Sequence, residues 1–302
     1  MLGLSMNPCV IFNPAARGEK AMRFREHLAA LANQCTLRPT IAPGDGRRLA
    51  TEAISEGHDT IVAAGGDGTL NEVINGMGDV PDGFTRSRLG ILPLGTINVF
   101  AKELGLPASY ERAWQIIEAG RETRIDLPQA AFTRAGQPAR RYFAQLAGAG
   151  LDSRAIELVD WNLKKKLGPL AYVAAGIKAL GEPRSPLTVT SVHGSVRGEL
   201  VLIGNGRFYG GRLNLFPQAD FRDGRLDVTV FPKVNWATIV RAGWGWLTDE
   251  IHRSAGAQTF QAESFTLTSD RPDISFQLDG DNVGHLPVKF SVQRAALRVL
   301  VP

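Results

Sequence analysis

A glycine-rich loop directly after an apolar strand constrains the fold more than any other feature. The apolar run Thr60–Ala64 predicts a buried strand, and it leads into Gly65–Thr69, which reads GGDGT. Thr69 and Glu72 have the spacing of a capping box, which predicts the start of a helix. Glycines let the backbone approach a ligand closely, and a helix N-terminus offers unpaired N–H groups to an anion. The segment therefore predicts a phosphate-binding loop, in which Asp67 indicates a metal ion or a transferred proton because it would repel a bare phosphate.

Strands and helices alternate along the first 125 residues. We predict strands at Leu4–Phe12, Leu37–Ile41, Thr60–Ala64 and Leu89–Leu92. We predict helices at Lys20–Gln34, Gly46–Ser55 and Leu70–Gly76. This alternation implies an α/β domain with a doubly wound, mostly parallel sheet, whose ligands bind at the carboxyl ends of the strands. A second strand-to-helix turn, Pro93–Thr96, falls at the same edge as the GGDGT loop.

The pattern changes beyond about residue 125, where short alternating segments are separated by Gly, Asp and Pro turns. These segments are Tyr142–Leu146, Leu187–Ser191, Glu199–Ile203, Leu226–Phe231, Phe265–Thr268, Ile274–Leu278, Val288–Val292 and Leu297–Val301. They predict an antiparallel, β-rich C-terminal domain, interrupted by helical stretches at Ser153–Leu180 and Asn235–Leu247. We therefore expect two domains, 1–125 and 126–302, with a second substrate in the cleft between them. The last residues could pack back on the first domain.

Composition excludes several classes of protein. The net charge of +4 and pI of about 9.2 permit anionic partners but are too weak to indicate nucleic acid. Cys9 and Cys35 are the only cysteines, so we expect a reducing compartment and neither a disulfide framework nor a zinc site. The N-terminus does not read as a signal peptide, and the longest apolar stretches are too short to span a bilayer. We expect a cytoplasmic protein whose membrane contact is peripheral.

Two longer motifs carry a family resemblance. Gly65–Gly76 (GGDGTLNEVING) and Leu92–Ala101 (LPLGTINVFA) closely resemble the diacylglycerol kinase catalytic-domain family, which includes bacterial YegS-type lipid kinases and the sphingosine and ceramide kinases. Further motifs occur in family order: Asn13-Pro14, Thr40 before Gly44, Leu167–Tyr172, Gly204–Gly206, Tyr209–Gly211, Asp223–Asp227 and Leu278–Gly280. The GGDGT core is shared with NAD kinases, but the later motifs favour the lipid branch. The resemblance implies an NAD-kinase-like fold and a lipid kinase that uses ATP and Mg²⁺.

The resemblance also implies particular site residues. ATP would be held by Thr40, Gly65, Gly66, Asp67, Gly68, Thr69, Leu70, Asn71 and Thr96. A magnesium ion would be held by the Asp223 carboxylate with the main-chain carbonyls of Asp220 and Arg225. The general base of the family is a Glu after Leu-Asp-Gly; here Asp281 takes that position, and Asp279 is an alternative base or metal contact. We expect Asp67 to hold the catalytic magnesium network.

Some positions depart from the family pattern or have two interpretations. Val99 stands where the family usually has Asp, so a supporting carboxylate is lost. Trp161–Leu167 combines apolar anchors with three lysines, which is typical either of contact with an anionic membrane surface or of a solvated helix face. Gly148–Gly150 is interpreted as turn glycines rather than as a dinucleotide fingerprint.

These observations favour an ATP- and Mg²⁺-dependent kinase of a lipid hydroxyl, with diacylglycerol, phosphatidylglycerol or a sphingoid-type lipid as acceptor. Two alternatives stay open: a kinase of a soluble hydroxyl compound such as NAD, and a catalytically weakened nucleotide- or lipid-binding regulator. The second alternative is motivated by Val99 and by Asp281 in place of Glu. The sequence leaves the oligomeric state, including a homo-oligomer, open.

Overall fold

The structure, a computed structural model, divides the chain into two compact units. Unit 1 comprises Met1–Leu127 with Gln293–Pro302, and unit 2 comprises Pro128–Val292. The residues described below are 6–14, 16, 19–158, 175–176, 178–182, 184–211, 213–238 and 256–302. Among these residues, no helix is long and apolar enough to cross a membrane.

Unit 1 is an α/β layer structure built on parallel strands. Its strands are β1 (Pro8–Phe12), β2 (Thr36–Pro39), β3 (Thr60–Gly65) and β4 (Arg88–Pro93). Its helices are α1 (Glu19–Glu26), α2 (Leu28–Leu31), α3 (Asp45–Ser55), α4 (Asp67–Asp79), α5 (Gly83–Arg86), α6 (Val99–Glu103) and α7 (Tyr110–Ala119). The strands lie in the order β2-β1-β3-β4 and all pair in parallel. The predicted doubly wound parallel sheet is confirmed.

The core of unit 1 follows from the apolar character of its central strands. Every residue of β1 and β3 is buried, as expected for strands covered on both faces. Phe24 of α1 and Trp114 of α7 pack into the same hydrophobic cluster as Val10 and Val62. Because the four strands run parallel, their carboxyl ends lie at one edge of this sheet, and the loops that follow them lie at the same edge.

The helix predicted at Lys20–Gln34 is wrong in one respect, because it is two helices. The chain leaves helical geometry at His27, with φ of −102° and ψ of 2°. The His27 Nδ1 donates to the carbonyl oxygen of Arg23 at 2.8 Å, which is the acceptor that an uninterrupted helix would use. A side chain that competes for this carbonyl ends the helix where periodicity alone predicts that it continues.

Unit 2 is antiparallel and β-rich. Its first elements are β6 (Gln137–Tyr142), β7 (Leu146–Gly150), α8 (Leu151–Glu157), β8 (Leu187–Ser191), β9 (Gly194–Gly198) and β10 (Leu200–Gly204). The later strands are β11 (Phe208–Tyr209), β12 (Leu213–Asn214), β13 (Leu226–Phe231), β14 (Gln258–Ala262), β15 (Ser264–Ser269), β16 (Ser275–Leu278) and β17 (Asp281–His285). Two long strands, β5 (Glu122–Arg134) and β18 (Val288–Leu300), begin in one unit and end in the other.

Two layers of strands enclose the core of unit 2. One layer has the order β14-β13-β10-β7-β16-β17, and the other contains β18, β15, β8 and β9. Phe290 lies between aromatic neighbours, with ring centroids 6.0 Å from Phe143, 5.2 Å from Phe265 and 6.2 Å from Phe276. The predicted antiparallel β-rich domain is confirmed as a sandwich of two sheets.

Two strand predictions in this part of the chain are wrong in detail. The segment Tyr142–Leu146 is not one strand, because β6 ends at Tyr142 and β7 begins at Leu146. The two segments predicted at Val288–Val292 and Leu297–Val301 belong to the single strand β18, in which Ala295 has φ of 49°. The Ala295 N–H donates to Asp126 Oδ1 at 2.7 Å, so a buried carboxylate supports the irregular residue.

Parts of other predictions fall outside the described residues. Of the helical stretch predicted at Ser153–Leu180, the structure describes α8 and a few residues between 175 and 180. Trp161–Leu167 and Leu167–Tyr172 lie outside, and so does most of Asn235–Leu247.

Candidate functional site

The two glycine-bearing loops of unit 1 touch each other through their backbones. Gly65 pairs with Pro93 at the ends of β3 and β4, and the N–H groups of Leu94 and Gly95 donate to the Gly65 carbonyl at 2.9 and 3.1 Å. A Cβ atom on Gly95 would lie 2.5 Å from the Cα of Gly66. Only glycine permits this approach, so the two loops form one backbone-lined cradle at the carboxyl edge of the sheet.

Helix α4 begins inside the GGDGT loop rather than after it. Gly66 is the N-cap residue, with φ of −96° and ψ of −171°, and Asp67 is the first helical residue. The first N–H groups of a 13-residue helix therefore face the cradle, as an anion site requires. Gly65 packs against Thr69, whose Oγ1 would lie 2.5 Å from a Cβ at Gly65.

The predicted capping box is wrong, because Thr69 already lies within the first turn of α4. The Glu72 carboxylate instead accepts hydrogen bonds from the N–H groups of Gly44 and Gly46, each at 2.8 Å. These N–H groups belong to the start of the neighbouring helix α3. Glu72 thus caps a helix that follows the Thr40 loop, and this joins two loops at the same sheet edge.

Asp67 does not point freely into the cradle. Burial raises the pKa of its carboxyl, and hydrogen bonds from the backbone N–H groups of Val99, Phe100 and Asn98, together with the charge of Lys102, oppose that rise. The carboxylate therefore holds the start of α6 in place. The hydrogen bond from residue 99 to Asp67 uses the backbone N–H and does not depend on the side chain. Val99 can therefore make it although the family usually has Asp at this position.

Asn98 is a candidate site residue that we did not predict from the sequence. It adopts φ of 52°, and its Nδ2 donates to the carbonyl oxygens of Pro93 and Gly95 at 3.1 and 2.6 Å. Its Oδ1 is buried and has no hydrogen-bond partner among the described residues. This oxygen would be 2.7 Å from a Cβ at Gly95, so it borders the cradle. A signal was present in the sequence, because Asn is the residue that most readily takes a left-handed conformation after a tight turn.

The remaining predicted nucleotide residues differ in exposure. Thr96 is exposed in the loop after β4, and Thr40 is half-buried after β2, where its N–H donates to the Phe12 carbonyl at 2.8 Å. The side chains of Leu70 and Asn71 are buried within unit 1. The structure thus brings together the loops at Thr40, Gly65–Thr69 and Thr96 at one sheet edge, while Leu70 and Asn71 turn their side chains inward.

A cradle of this kind fits a magnesium–nucleotide complex. The cradle is lined by the backbone of Gly66 and Gly95 and by the N-terminus of α4, and Asn98 Oδ1 provides a buried acceptor. Phosphate oxygens accept hydrogen bonds from backbone N–H groups, and a hard cation takes neutral amide oxygens as ligands.

The Leu278–Asp281 segment in unit 2 forms a tight hairpin turn between β16 and β17. Leu278 pairs with Asp281, and the two residues between them have positive φ, 49° for Asp279 and 94° for Gly280. Two central residues with positive φ define a type I′ turn, for which Asp-Gly is a preferred sequence. The turn places Asp281 as the first residue of β17, where it is exposed.

The structure gives Asp279 a different position from Asp281. The Asp279 carboxylate accepts the N–H groups of Ala144, Gln145 and Leu146 at 2.7, 2.9 and 3.1 Å. This is why Tyr142–Leu146 is not a continuous strand, since three of its N–H groups bind a carboxylate instead of a neighbouring strand. Asp279 therefore fastens the turn to the start of β7.

The predicted metal loop forms an Asp-Gly turn. Asp223 Oδ1 accepts the Arg225 N–H at 2.8 Å, and Asp223 Oδ2 lies 3.3 Å from Gln261 Nε2. The Asp220 carbonyl accepts the Asp223 N–H at 3.3 Å. The described residues contain no group of three or more His, Cys, Asp or Glu side chains that could hold a metal. The predicted ligands, one carboxylate and two carbonyl oxygens, are of the type that Mg²⁺ accepts and do not require such a group.

Unit 2 contains a half-buried carboxylate that the sequence did not single out. Asp152, in α8, accepts hydrogen bonds from the Tyr209 hydroxyl and from Gln277 Nε2. Burial raises the pKa of Asp152, and these two hydrogen bonds oppose the rise. A half-buried carboxylate with a raised pKa, linked through Gln277 to a candidate catalytic turn, is a feature that only the tertiary structure reveals.

Comparisons with known proteins show the family to which the chain belongs. The family model of the diacylglycerol kinase catalytic domain matches residues 7–130, and that of the YegS C-terminal NAD kinase beta sandwich-like domain matches residues 145–301. The chain therefore belongs to the diacylglycerol kinase family, and the predicted class of enzyme, a lipid kinase, is confirmed.

Particular relatives and solved structures extend this result. The chain is 31% identical to a diacylglycerol kinase of Staphylococcus saprophyticus, over 86% of this chain and 82% of that protein. It is 29% identical to a diacylglycerol kinase of Bacillus subtilis, over 97% and 95% of the two chains. A crystallised diacylglycerol kinase of Bacillus anthracis shares the fold, with a TM-score of 0.76, 24% identity and coverage of 98% and 97%. Yeast NADH kinase shares the fold more distantly, with a TM-score of 0.55, 9% identity and coverage of 99% and 84%.

Proposed function

We propose that this protein transfers the γ-phosphate of ATP to the hydroxyl group of a lipid in a magnesium-dependent reaction. We further propose diacylglycerol as the acceptor, because the relatives at about 30% identity are diacylglycerol kinases. The observation that carries the proposal is the contact between Gly66 and Gly95, which joins the two glycine loops in a backbone-lined cradle at the N-terminus of α4.

The nucleotide half of the site is assigned to unit 1. The N–H groups at the start of α4 would bind the phosphates, and Thr40 and Thr96 would contact the nucleotide from neighbouring loops at the same sheet edge. Asn98 Oδ1 would serve the magnesium ion or a nucleotide hydroxyl. Asp67 would support this half indirectly, because its carboxylate fixes the N–H groups at the start of α6.

The general base is assigned to Asp281. Its carboxylate would take the proton from the lipid hydroxyl as the hydroxyl oxygen attacks the γ-phosphorus and the bond to ADP breaks. Asp279 would not compete for this role, because its carboxylate already accepts three backbone N–H groups. Asp281 is exposed at the start of β17, where a substrate can approach it from solvent.

Magnesium would neutralise charge on the phosphates in the transition state. A second ion would be held by the Asp223 carboxylate with the carbonyls of Asp220 and Arg225, and it would brace the Asp-Gly turn. The protein's own part is to bind, orient and accept one proton, since phosphoryl transfer requires little covalent chemistry from the enzyme.

We also propose that the enzyme meets its substrate at the membrane from the cytoplasmic side. The lipid acceptor resides in a bilayer, and the net charge of +4 favours an anionic surface. Trp236 is 59% exposed, which suits an interfacial aromatic residue.

The experiment is transfer of labelled phosphate from ATP with Mg²⁺ to a panel of diacylglycerol, phosphatidylglycerol, ceramide, sphingosine and NAD. Each lipid is presented in vesicles with and without anionic lipid. We expect label on diacylglycerol, with loss of transfer on chelation of the metal. Label on NAD alone would replace the lipid kinase with a nucleotide kinase. No transfer to any acceptor, with retained ATP binding, would support a regulator instead.

A further inference from the structure

The side chain of Gln277 connects the Asp279–Gly280 turn to the interior of unit 2. Gln277 lies in β16 and is only 1% exposed. Its Oε1 accepts the N–H of Gly280 at 2.8 Å, and its Nε2 donates to Asp152 Oδ2 at 2.7 Å. A flipped amide would place a donor against the Gly280 N–H and an acceptor against a carboxylate. The orientation of Gln277 is therefore fixed at both ends.

Asp152 is in turn held from its other side. Its second carboxylate oxygen accepts the hydroxyl of Tyr209, which lies in β11. Burial raises the pKa of Asp152, as expected for a carboxyl that has lost its water. A line of hydrogen bonds thus connects Tyr209, Asp152, Gln277 and Gly280. It ends at the backbone N–H of Gly280, the residue before Asp281.

Strand β7, which pairs with β16, leaves space for the hydrogen bond between Asp152 and Gln277. A Cβ atom on Gly148 would lie 2.1 Å from Asp152 Oδ2 and 3.1 Å from Gln277 Nε2. Gly148 in β7 therefore must lack a side chain for Asp152 and Gln277 to meet. Gly148 therefore has a packing role, and because it lies within β7 the interpretation of Gly148 as a turn glycine is wrong.

Two further hydrogen bonds fasten α8 to the same hairpin. Ser153 Oγ donates to the carbonyl of Ser275 in β16 at 2.7 Å. Asn282 Nδ2, in β17, donates to the carbonyl of Ser153 at 3.0 Å. Both strands of the hairpin that carries Asp281 are therefore bound to the helix that carries Asp152.

We propose that Gln277, held by Asp152 and Tyr209, is a positioning residue that fixes the Gly280 turn and thereby directs the Asp281 carboxylate. This inference rests on the proposed function, in which Asp281 is the base. Because an Asp side chain has only two rotatable bonds, its carboxylate follows the backbone closely. A small loss of order in the turn would therefore misdirect it.

Gln277→Leu tests the proposal, because it removes both hydrogen bonds with little change in side-chain length. We expect kcat for lipid phosphorylation to fall about tenfold or more while KM for ATP stays within about twofold. Hydrogen exchange of the peptide that contains Gly280 should accelerate. In an Asp281→Asn background, Gln277→Leu should change the residual rate by less than about twofold, because it acts only through Asp281.

Gln129→Leu is the matched control, since Gln129 is a partly buried amide in the same unit that donates to Ser291 Oγ at 3.1 Å. We expect this control to leave both kcat and the exchange of Gly280 unchanged. Wild-type exchange at Gly280 in Gln277→Leu, or a loss of rate that multiplies with that of Asp281→Asn, would overturn the proposal.

If Gln277→Leu does not fold, Tyr209→Phe removes only the hydroxyl at the far end of the line. We expect it to lower kcat about threefold with KM for ATP unchanged and with faster exchange at Gly280. Unchanged kcat together with unchanged exchange would overturn the proposal. Failure of the proposed function is distinguishable: the wild type would then phosphorylate no lipid, whereas the exchange comparison would still show whether Gln277 holds the turn.

Discussion

The two carboxylates of the Asp279–Asp281 turn should respond oppositely to the same substitution. Asp281→Asn removes the exposed carboxylate of the proposed base and keeps the Asp279-Gly280 pair, so we expect kcat to fall by about 10²–10⁴ with ATP affinity and stability unchanged. Asp279→Asn removes an acceptor of three backbone N–H groups. Asn tolerates the positive φ at this position, so the substitution changes the hydrogen bonds and not the backbone preference.

The magnitude for Asp279→Asn follows from its contacts. The remaining amide oxygen can still accept the N–H groups of Gln145 and Leu146, which share Oδ1. The new NH₂ group would face the N–H of Ala144, which donates to Oδ2 at 2.7 Å. One charge-assisted hydrogen bond is lost and one buried donor is unsatisfied, so we expect a cost of about 1.5–3 kcal/mol and a fall in melting temperature of about 3–12 °C.

The assay compares steady-state transfer from labelled ATP with thermal unfolding for both variants. Asp270→Asn is the control, because Asp270 is an exposed carboxylate whose ion pair with Arg197 is also exposed. We expect this control to change neither the rate of phosphate transfer nor the melting temperature. The assignment of roles would be refuted by full activity in Asp281→Asn, or by loss of turnover in Asp279→Asn at unchanged stability.

Three further predictions concern unit 1. Gly95→Ala should weaken ATP binding about tenfold or more, because its methyl would meet the Cα of Gly66 at 2.5 Å. Gly176→Ala, whose methyl meets no atom within 4 Å among the described residues, should leave ATP binding unchanged. Equal calorimetric affinities for the two variants would contradict the cradle. Glu72→Gln should lower the free energy of unfolding by about 1 kcal/mol, because one N–H at the start of α3 loses its acceptor. An unchanged midpoint of urea unfolding would argue against this cap. Burial raises the pKa of Cys9 to about 11 from an ordinary value of 9.0, so the unfolded chain loses this proton first and stability should fall as pH rises from 9 towards 11. Rapid reaction of Cys9 with a thiol reagent in the native protein at pH 8 would contradict this.

Local patterns predicted the elements whose cause is local. The strand at Thr60–Ala64 was identifiable because a strand buried along its whole length selects apolar residues, and the strand at Leu226–Phe231 because apolar and polar residues alternate in it. The Leu278–Asp281 turn was recognisable from its family motif, and its type I′ geometry follows from the Asp-Gly pair itself. Errors arose where a distant partner decides the local structure. Glu72, which caps α3 instead of its own helix, and the break at Phe143–Gln145 are two such cases.

The sequence by itself determined the class of fold, and it identified the glycine loops of unit 1 and the acidic residues of the Leu278–Asp281 turn as candidate site residues. It did so because glycine, apolar periodicity and Asp-Gly turns have effects that depend on near neighbours. Tertiary structure alone decided that Asp279 fastens a turn, that Asp67 holds the start of α6 and that Gln277 reaches Asp152. Each of these roles depends on a hydrogen-bond partner far away in the chain, 125 residues away for Gln277 and Asp152. The carboxylates look alike in the sequence, and only the groups that surround each one in the fold separate a structural acceptor from a candidate base.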